Sequence, residues 1–182
     1  MTECRLYGKM VLLTIGNFQK MIRVIREIKM SVVFREFSPA DKSFYISSSK
    51  VFYNPPYVVH SVPEQHFEKT FQLCIDKSPF IKGFIIEWNN EMAGYVLAAV
   101  AYSNEAGGMC LWIEEIYILP VYRGKGIAKK LFELIEKKWV PENDYKRVRL
   151  EVTGDNKNAI SLYKQMGFKQ LDYKQMSKDY FA

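Results

Sequence analysis

The chain has 182 residues, with 26 lysines and arginines against 20 acids, a length that gives one domain its own core and argues against two. Three cysteines (Cys4, Cys74 and Cys110) at no metal-like spacing, with no apolar run of bilayer length, exclude a disulfide framework, a zinc site and a membrane span, so a cytoplasmic protein without metal or membrane partner is expected. The formal charge of +6 does not point to nucleic acid either, because residues 1–30 hold six cations against two acids and carry most of the excess.

Residues 1–30 read as a basic extension, helical or not native to the domain at 31–182. Phe18, Met21, Ile22, Ile25 and Ile28 recur at helical spacing between Lys20, Arg23, Arg26 and Lys29. Then come a strand at 32–37, a helix opened by Pro39-Ala40-Asp41, and a loop at 52–60 expected to carry acceptor choice. A second helix spans 64–76, with Ser61 as N-cap and Pro63 near its first turn. The runs 80–88 and 91–101, split by Asn89-Asn90, predict an antiparallel hairpin. A strand at 109–119 leads to a helix at 125–140 with Ile127, Leu131, Leu134 and Ile135 on one face, stopped by Pro141. A strand at 146–153, a helix at 156–166 ended by Gly167 and a closing strand at 168–176 complete the order.

The junction at 117–131 joins an apolar strand to a helix through a glycine-rich turn carrying cations. Gly124 and Gly126 let the backbone turn tightly and an anion approach its N–H groups. The first helical turn adds unpaired donors and the positive end of the dipole, and Arg123, Lys125 and Lys129 add full charges. Neither a Gly-x-x-x-x-Gly-Lys-Ser/Thr run nor the third glycine of a dinucleotide fold is present.

Arg123-x-x-Gly126-x-Ala128 resembles the acetyl-CoA pyrophosphate loop of the GNAT superfamily of N-acetyltransferases. The downstream run Asn156-x-x-Ala159-x-x-Leu162-Tyr163-x-x-x-Gly167-Phe168 is similar to that superfamily's second signature. The resemblance covers residues 32–173 and is strongest from Met109 onward. It implies an α/β fold of GNAT type, with a central mixed, mostly antiparallel sheet of six to seven strands splayed in the middle and about four flanking helices. It also implies acetyl-CoA as co-substrate, direct attack by a primary amine in a ternary complex, and a homodimer. The acceptor class stays open between a polyamine, an amino sugar and a peptide amine. A non-catalytic acyl-CoA-binding regulatory module is the alternative.

By the same resemblance, the backbone of Ile116, Tyr117 and Ile118 pairs with the pantetheine amides. Arg123, Gly124, Lys125, Gly126, Ile127, Ala128 and Lys129 surround the pyrophosphate. Asn156 holds the pantetheine arm or caps its helix, and Tyr163 protonates the departing thiolate. A base must deprotonate the amine. Glu114 matches the carboxylate used in polyamine acetyltransferases, with Glu115 second. Adjacent strand residues face opposite sides, so one of the two points to the cleft or core, and a bulge would reverse that parity. Tyr53, Tyr57, Trp88, Tyr102 and Trp112 are candidate acceptor-pocket aromatics. His60 and His66 have no catalytic context.

Overall fold

Ser38 and Asp41 open the first helix by satisfying each other's ends. The Ser38 N–H and hydroxyl donate to Asp41 Oδ2 at 2.7 and 2.8 Å, and the Asp41 N–H returns to the Ser38 carbonyl at 3.0 Å. Pro39, in the short 3₁₀ turn Pro39–Asp41, needs no N–H partner there. Helix α1 (Lys42–Phe52) follows directly. Arg35 closes the unit, with its guanidinium bidentate on Asp41 and its Nε on Glu87 at 2.6 Å. Burial works to raise the Asp41 carboxyl, but Arg35 and Ser38 outweigh it and hold it below the usual carboxylate range.

The computed structural model describes residues 31–54, 62–178 and 180. The extension at 1–30, the N-cap assigned to Ser61, and most of the 52–60 loop with Tyr57 and His60 lie outside the described residues. Strands β1 (Val32–Glu36), β2 (Ile81–Trp88), β3 (Glu91–Ser103), β4 (Gly108–Ile118) and β5 (Arg147–Leu150) form one sheet in chain order. Every pairing is antiparallel except β4 with β5, which run parallel over Cys110–Ile113. Asn89 and Asn90 both adopt positive φ, as a tight hairpin between right-twisted strands requires.

Among the described residues four helices cover the two faces. Helices α1 and α2 (Glu64–Ile75) bury Tyr45, Ile46, Phe67 and Phe71 against Ile85, Tyr95, Leu97 and Tyr117. On the other face α3 (Ile127–Leu134) buries Ile127, Leu131 and Phe132 against Ile86, Trp88, Val96 and Ile113. Leu162, Tyr163 and Met166 of α4 (Lys157–Gln165) and its C-terminal end pack at the margin of that second core.

Two sequence expectations are corrected. The sheet has five strands among the described residues, instead of six to seven splayed in the middle, and residues 168–176 form no strand. Phe168 joins the core, but Leu171, Tyr173 and Met176 stay 49%, 74% and 97% exposed, so the apolar residues of the segment are not buried against β5. The third helix also does not stop at Pro141. It runs on through a π-helical stretch (Ile135–Trp139) into a last α turn (Val140–Asn143). Pro141 falls where the ladder changes from π to α.

Gly94 stands next to Ala93, the extra residue where the β2–β3 register shifts, and leaves no room for a side chain. A Cβ at Gly94 would sit 2.0 Å from the Tyr117 carbonyl oxygen. Gly94→Ala is expected to cost about 3 kcal/mol or more, read as a lowered urea midpoint.

Candidate active site

The loop after β4 has the geometry its glycines predict. Beyond the short turn Pro120–Tyr122 the chain passes Arg123 and reaches Gly124 and Gly126 with φ of 73° and 77°. A Cβ at either glycine would meet nothing within 4 Å, so backbone conformation and not crowding demands glycine here. Gly126 occupies the N-cap of α3 and supplies no side chain, which leaves the first-turn N–H groups without a side-chain cap. Arg123 braces the loop through Nε to the Ile118 carbonyl at 2.9 Å. Lys129 is exposed on the first turn, whereas the Ile127 side chain is buried and only its backbone can face a ligand.

Strand β4 carries the decisive irregularity. Leu97 pairs with Glu115 and Ala98 with Ile113, so Glu114 is an extra residue without a partner on β3. The bulge changes which residues face which core. Leu111 and Ile113 face the α3 side before it, Ile116 and Ile118 do so after it, and Tyr117 turns to the α1–α2 side. Pairing with β5 ends at Ile113–Leu150, so the next residues, Glu114 and Glu151, come side by side. Glu114 is exposed at the surface and has no hydrogen bond or ion pair among the described residues. Partial desolvation, and then Glu151, push its carboxyl above the usual range.

Glu115 is the buried member of the pair, at 7% exposure. Tyr95 and Tyr53 donate their hydroxyls to its two oxygens at 2.5 and 2.8 Å, and Ser49 donates to the Tyr95 oxygen at 3.2 Å. Burial drives the Glu115 carboxyl up, the two phenols offset part of that, and Glu114 pushes it up again. Tyr53 stacks on Phe67 with centroids 5.4 Å apart, and Tyr95 meets the edge of Tyr45 at 5.0 Å. Sequence reasoning missed Tyr95 and Ser49. Tyr95 lies in an apolar run that reads as core, and its hydroxyl acquires meaning only from its place diagonal to Glu115 across the β3–β4 ladder.

Asn156 is the N-cap of α4, with Oδ1 accepting from the Ala159 N–H at 3.2 Å. Tyr163 is half-buried, with its ring edge-on to Phe132 at 5.5 Å, and burial raises its phenol. It lines a cleft of about 1110 Å³ that wraps the outer edge of β5 and includes Trp112, Arg149 and Phe168. No residue of the 123–129 loop lines that cleft. Of the candidate pocket aromatics, Tyr53 reaches Glu115, Trp88 lies under the loop lysines, Trp112 carries the Arg149 guanidinium at 5.7 Å, and Tyr102 is 67% exposed at the far end of the β3–β4 pair. His66 lies on α2. Among the described residues no group of three or more His, Cys, Asp or Glu is placed to hold a metal, and no helix is long and apolar enough to cross a membrane.

The chain belongs to the acetyltransferase (GNAT) family, whose model matches residues 46–168. An uncharacterized N-acetyltransferase of Escherichia coli (strain K12), YjgM, is 32% identical over 114 residues, 63% of this chain and 65% of its own length. Thialysine N-epsilon-acetyltransferase of Sus scrofa is 35% identical over 80 residues, 44% of this chain and 46% of its own. The chain therefore spans less than two thirds of either relative. The solved aminoglycoside N-acetyltransferase AAC(6')-Iy in complex with CoA shares the fold at TM-score 0.67 and 15% identity, over 84% of this chain and 97% of that one.

The raised Glu115 carboxyl has a signed consequence. The native state keeps this proton to higher pH than the unfolded chain, so stability from this group is lost as pH rises from about 4 through the raised value. In urea titrations across that window, the midpoint of the native chain is expected to fall relative to that of Glu115→Gln. Parallel curves would show that Glu115 titrates as an ordinary carboxylate.

Proposed function

We propose that this chain transfers an acetyl group from acetyl-CoA to a primary amine by direct attack in a ternary complex. The observation that carries the reading is the continuous unit running from the Glu114 bulge to the uncapped start of α3. In it a carboxylate without a partner lies in the strand that leads to backbone N–H groups able to bind an anion. Those donors and the two left-handed glycines suit a pyrophosphate, since nothing occupies the space a Cβ would take. The printed names of the relatives, an N-acetyltransferase acting on thialysine and an aminoglycoside N-acetyltransferase crystallised with CoA, support the same reaction class.

Acetyl-CoA supplies the activated acyl carbon and a thiol leaving group. Glu114 takes the proton from the acceptor ammonium, directly or through water, because an amine with a lysine-like pKa is almost wholly charged at neutral pH. The freed nitrogen forms its bond to the acyl carbon as the carbon–sulfur bond breaks, the Tyr163 phenol gives its proton to the sulfur, and the nitrogen's second proton, lost as the neutral amide forms, passes through solvent to restore the phenol. Burial keeps that phenol protonated at neutral pH, as a donor requires. Glu115 meanwhile holds the strand in place and does not exchange protons with the acceptor. Glu114 and Glu151, side by side and uncompensated, favour a cationic acceptor over a neutral one.

Free-thiol release from acetyl-CoA across a panel of polyamines, amino sugars, amino acids and short peptides tests the reading. Release that depends on one amine class is expected, and tight acetyl-CoA binding with no amine-dependent release would favour the regulatory-module alternative. Glu114→Gln is expected to lower kcat/KM by about 10²–10⁴-fold. The base acts when ionised, so activity rises with pH through the raised Glu114 value. Glu151→Gln removes a like charge and is expected to move that acid limb to lower pH; an unmoved limb would remove Glu114 from the base role.

A further inference from the structure

The end of the β2–β3 hairpin lies against the 123–129 loop. Trp88 and Glu91 are the last cross-strand pair before the Asn89–Asn90 turn. Lys125 Nζ lies 5.5 Å from the centroid of the Trp88 ring and 5.0 Å from that of Tyr122, and Lys130 Nζ lies 5.8 Å from the Trp88 centroid. Glu91 Oε2 accepts the Tyr122 hydroxyl at 2.5 Å, which fixes the second ring in place. Trp88 is 5% exposed and belongs to the core that also buries Ile127 and Leu131 of α3, so its ring is packed into the same core as the start of that helix.

We propose that Trp88 is a positioning residue for the cations of this loop: it gathers Lys125 and Lys130 at the first turn of α3 and presents them, already ordered, to the phosphates of a CoA molecule. The inference rests on the reading of the loop as a CoA site. A lysine on a flexible stem loses rotamer freedom when it orders against an anion, and one held over a ring has lost part of it before the ligand arrives. An aromatic face also holds an ammonium without neutralising it, whereas a carboxylate would compete with the phosphate for the same charge. Glu91 is the carboxylate of this patch, and it is engaged by the Tyr122 hydroxyl. Trp88 and Tyr122 thus order the lysine and leave its charge available.

The test is CoA binding by isothermal titration with the full chain, in the native form and in Trp88→Leu, Trp88→Phe, Lys125→Met/Lys130→Met and the triple variant. Trp88→Leu is expected to weaken CoA binding about fivefold, and Trp88→Phe, with its weaker π face, about twofold. In the Lys125→Met/Lys130→Met background Trp88→Leu is expected to change the Kd hardly at all, because no cation remains to position. In turnover assays the loss should fall on the KM for acetyl-CoA and leave kcat in place. Equal effects of Trp88→Leu in the presence and absence of the lysines would overturn the proposal and reduce Trp88 to a packing residue. Should Trp88→Leu not fold, an unchanged Kd in Trp88→Phe, or an effect of that substitution that persists without the lysines, would do the same. If the native chain binds no CoA at all, the reading of the loop fails first and the inference with it.

Discussion

One unpaired residue in β4 sets the terms for the rest of the molecule. Without the bulge at Glu114, strict alternation would place Glu115 on the same face as Leu111 and Ile113, inside the core that α3 covers. With it, Glu115 and Tyr117 turn toward α1 and α2, while Ile116 and Ile118 restore the apolar contact with α3. The same irregularity leaves Glu114 without a ladder partner, at the point where β5 stops pairing. A local mismatch in register therefore produces one buried and one available carboxylate from two identical neighbours.

The buried one is held at a cost. A carboxylate in an aromatic core resists ionisation, and the two phenols offset only part of that resistance. What the arrangement achieves is connection. Tyr95 comes from β3, Tyr53 from the residue after α1, and Ser49 from within α1, so one side chain ties the sheet to the helix that ends at the undescribed 55–61 segment. A single carboxylate thereby links α1 to the stretch of β4 that leads into the 123–129 loop.

The loop was legible in the sequence because its requirement is intrinsic to the backbone. Gly124 and Gly126 stand at positive φ, which few other residues tolerate, and no distant contact is needed to explain them. The hairpin at Asn89-Asn90 was legible for the same reason. The bulge was not, since Trp112 and Tyr117 are large and apolar on the opposite face and blur the break in phase between Ile113 and Ile116. The closing strand failed in the other direction. Residues 168–176 alternate well enough to suggest a strand, but burial depends on what lies beside them, and local pattern carries no information about that.

The π-helical stretch Ile135–Trp139 is the helical counterpart of the strand bulge: one residue more than a regular helix of the same span would contain. It lets Ile135 stay in the core while Trp139 stacks on Phe84 at 4.2 Å. A regular helix advances about 100° per residue, so a shortening by one residue between these two anchors would relax the π turn to an ordinary α turn and keep both on the same face. The same shortening inside Ile127–Leu134 would rotate everything after it away from the sheet. The helix thus contains one segment that tolerates a change in length and one that does not, and the boundary between them lies at Ile135.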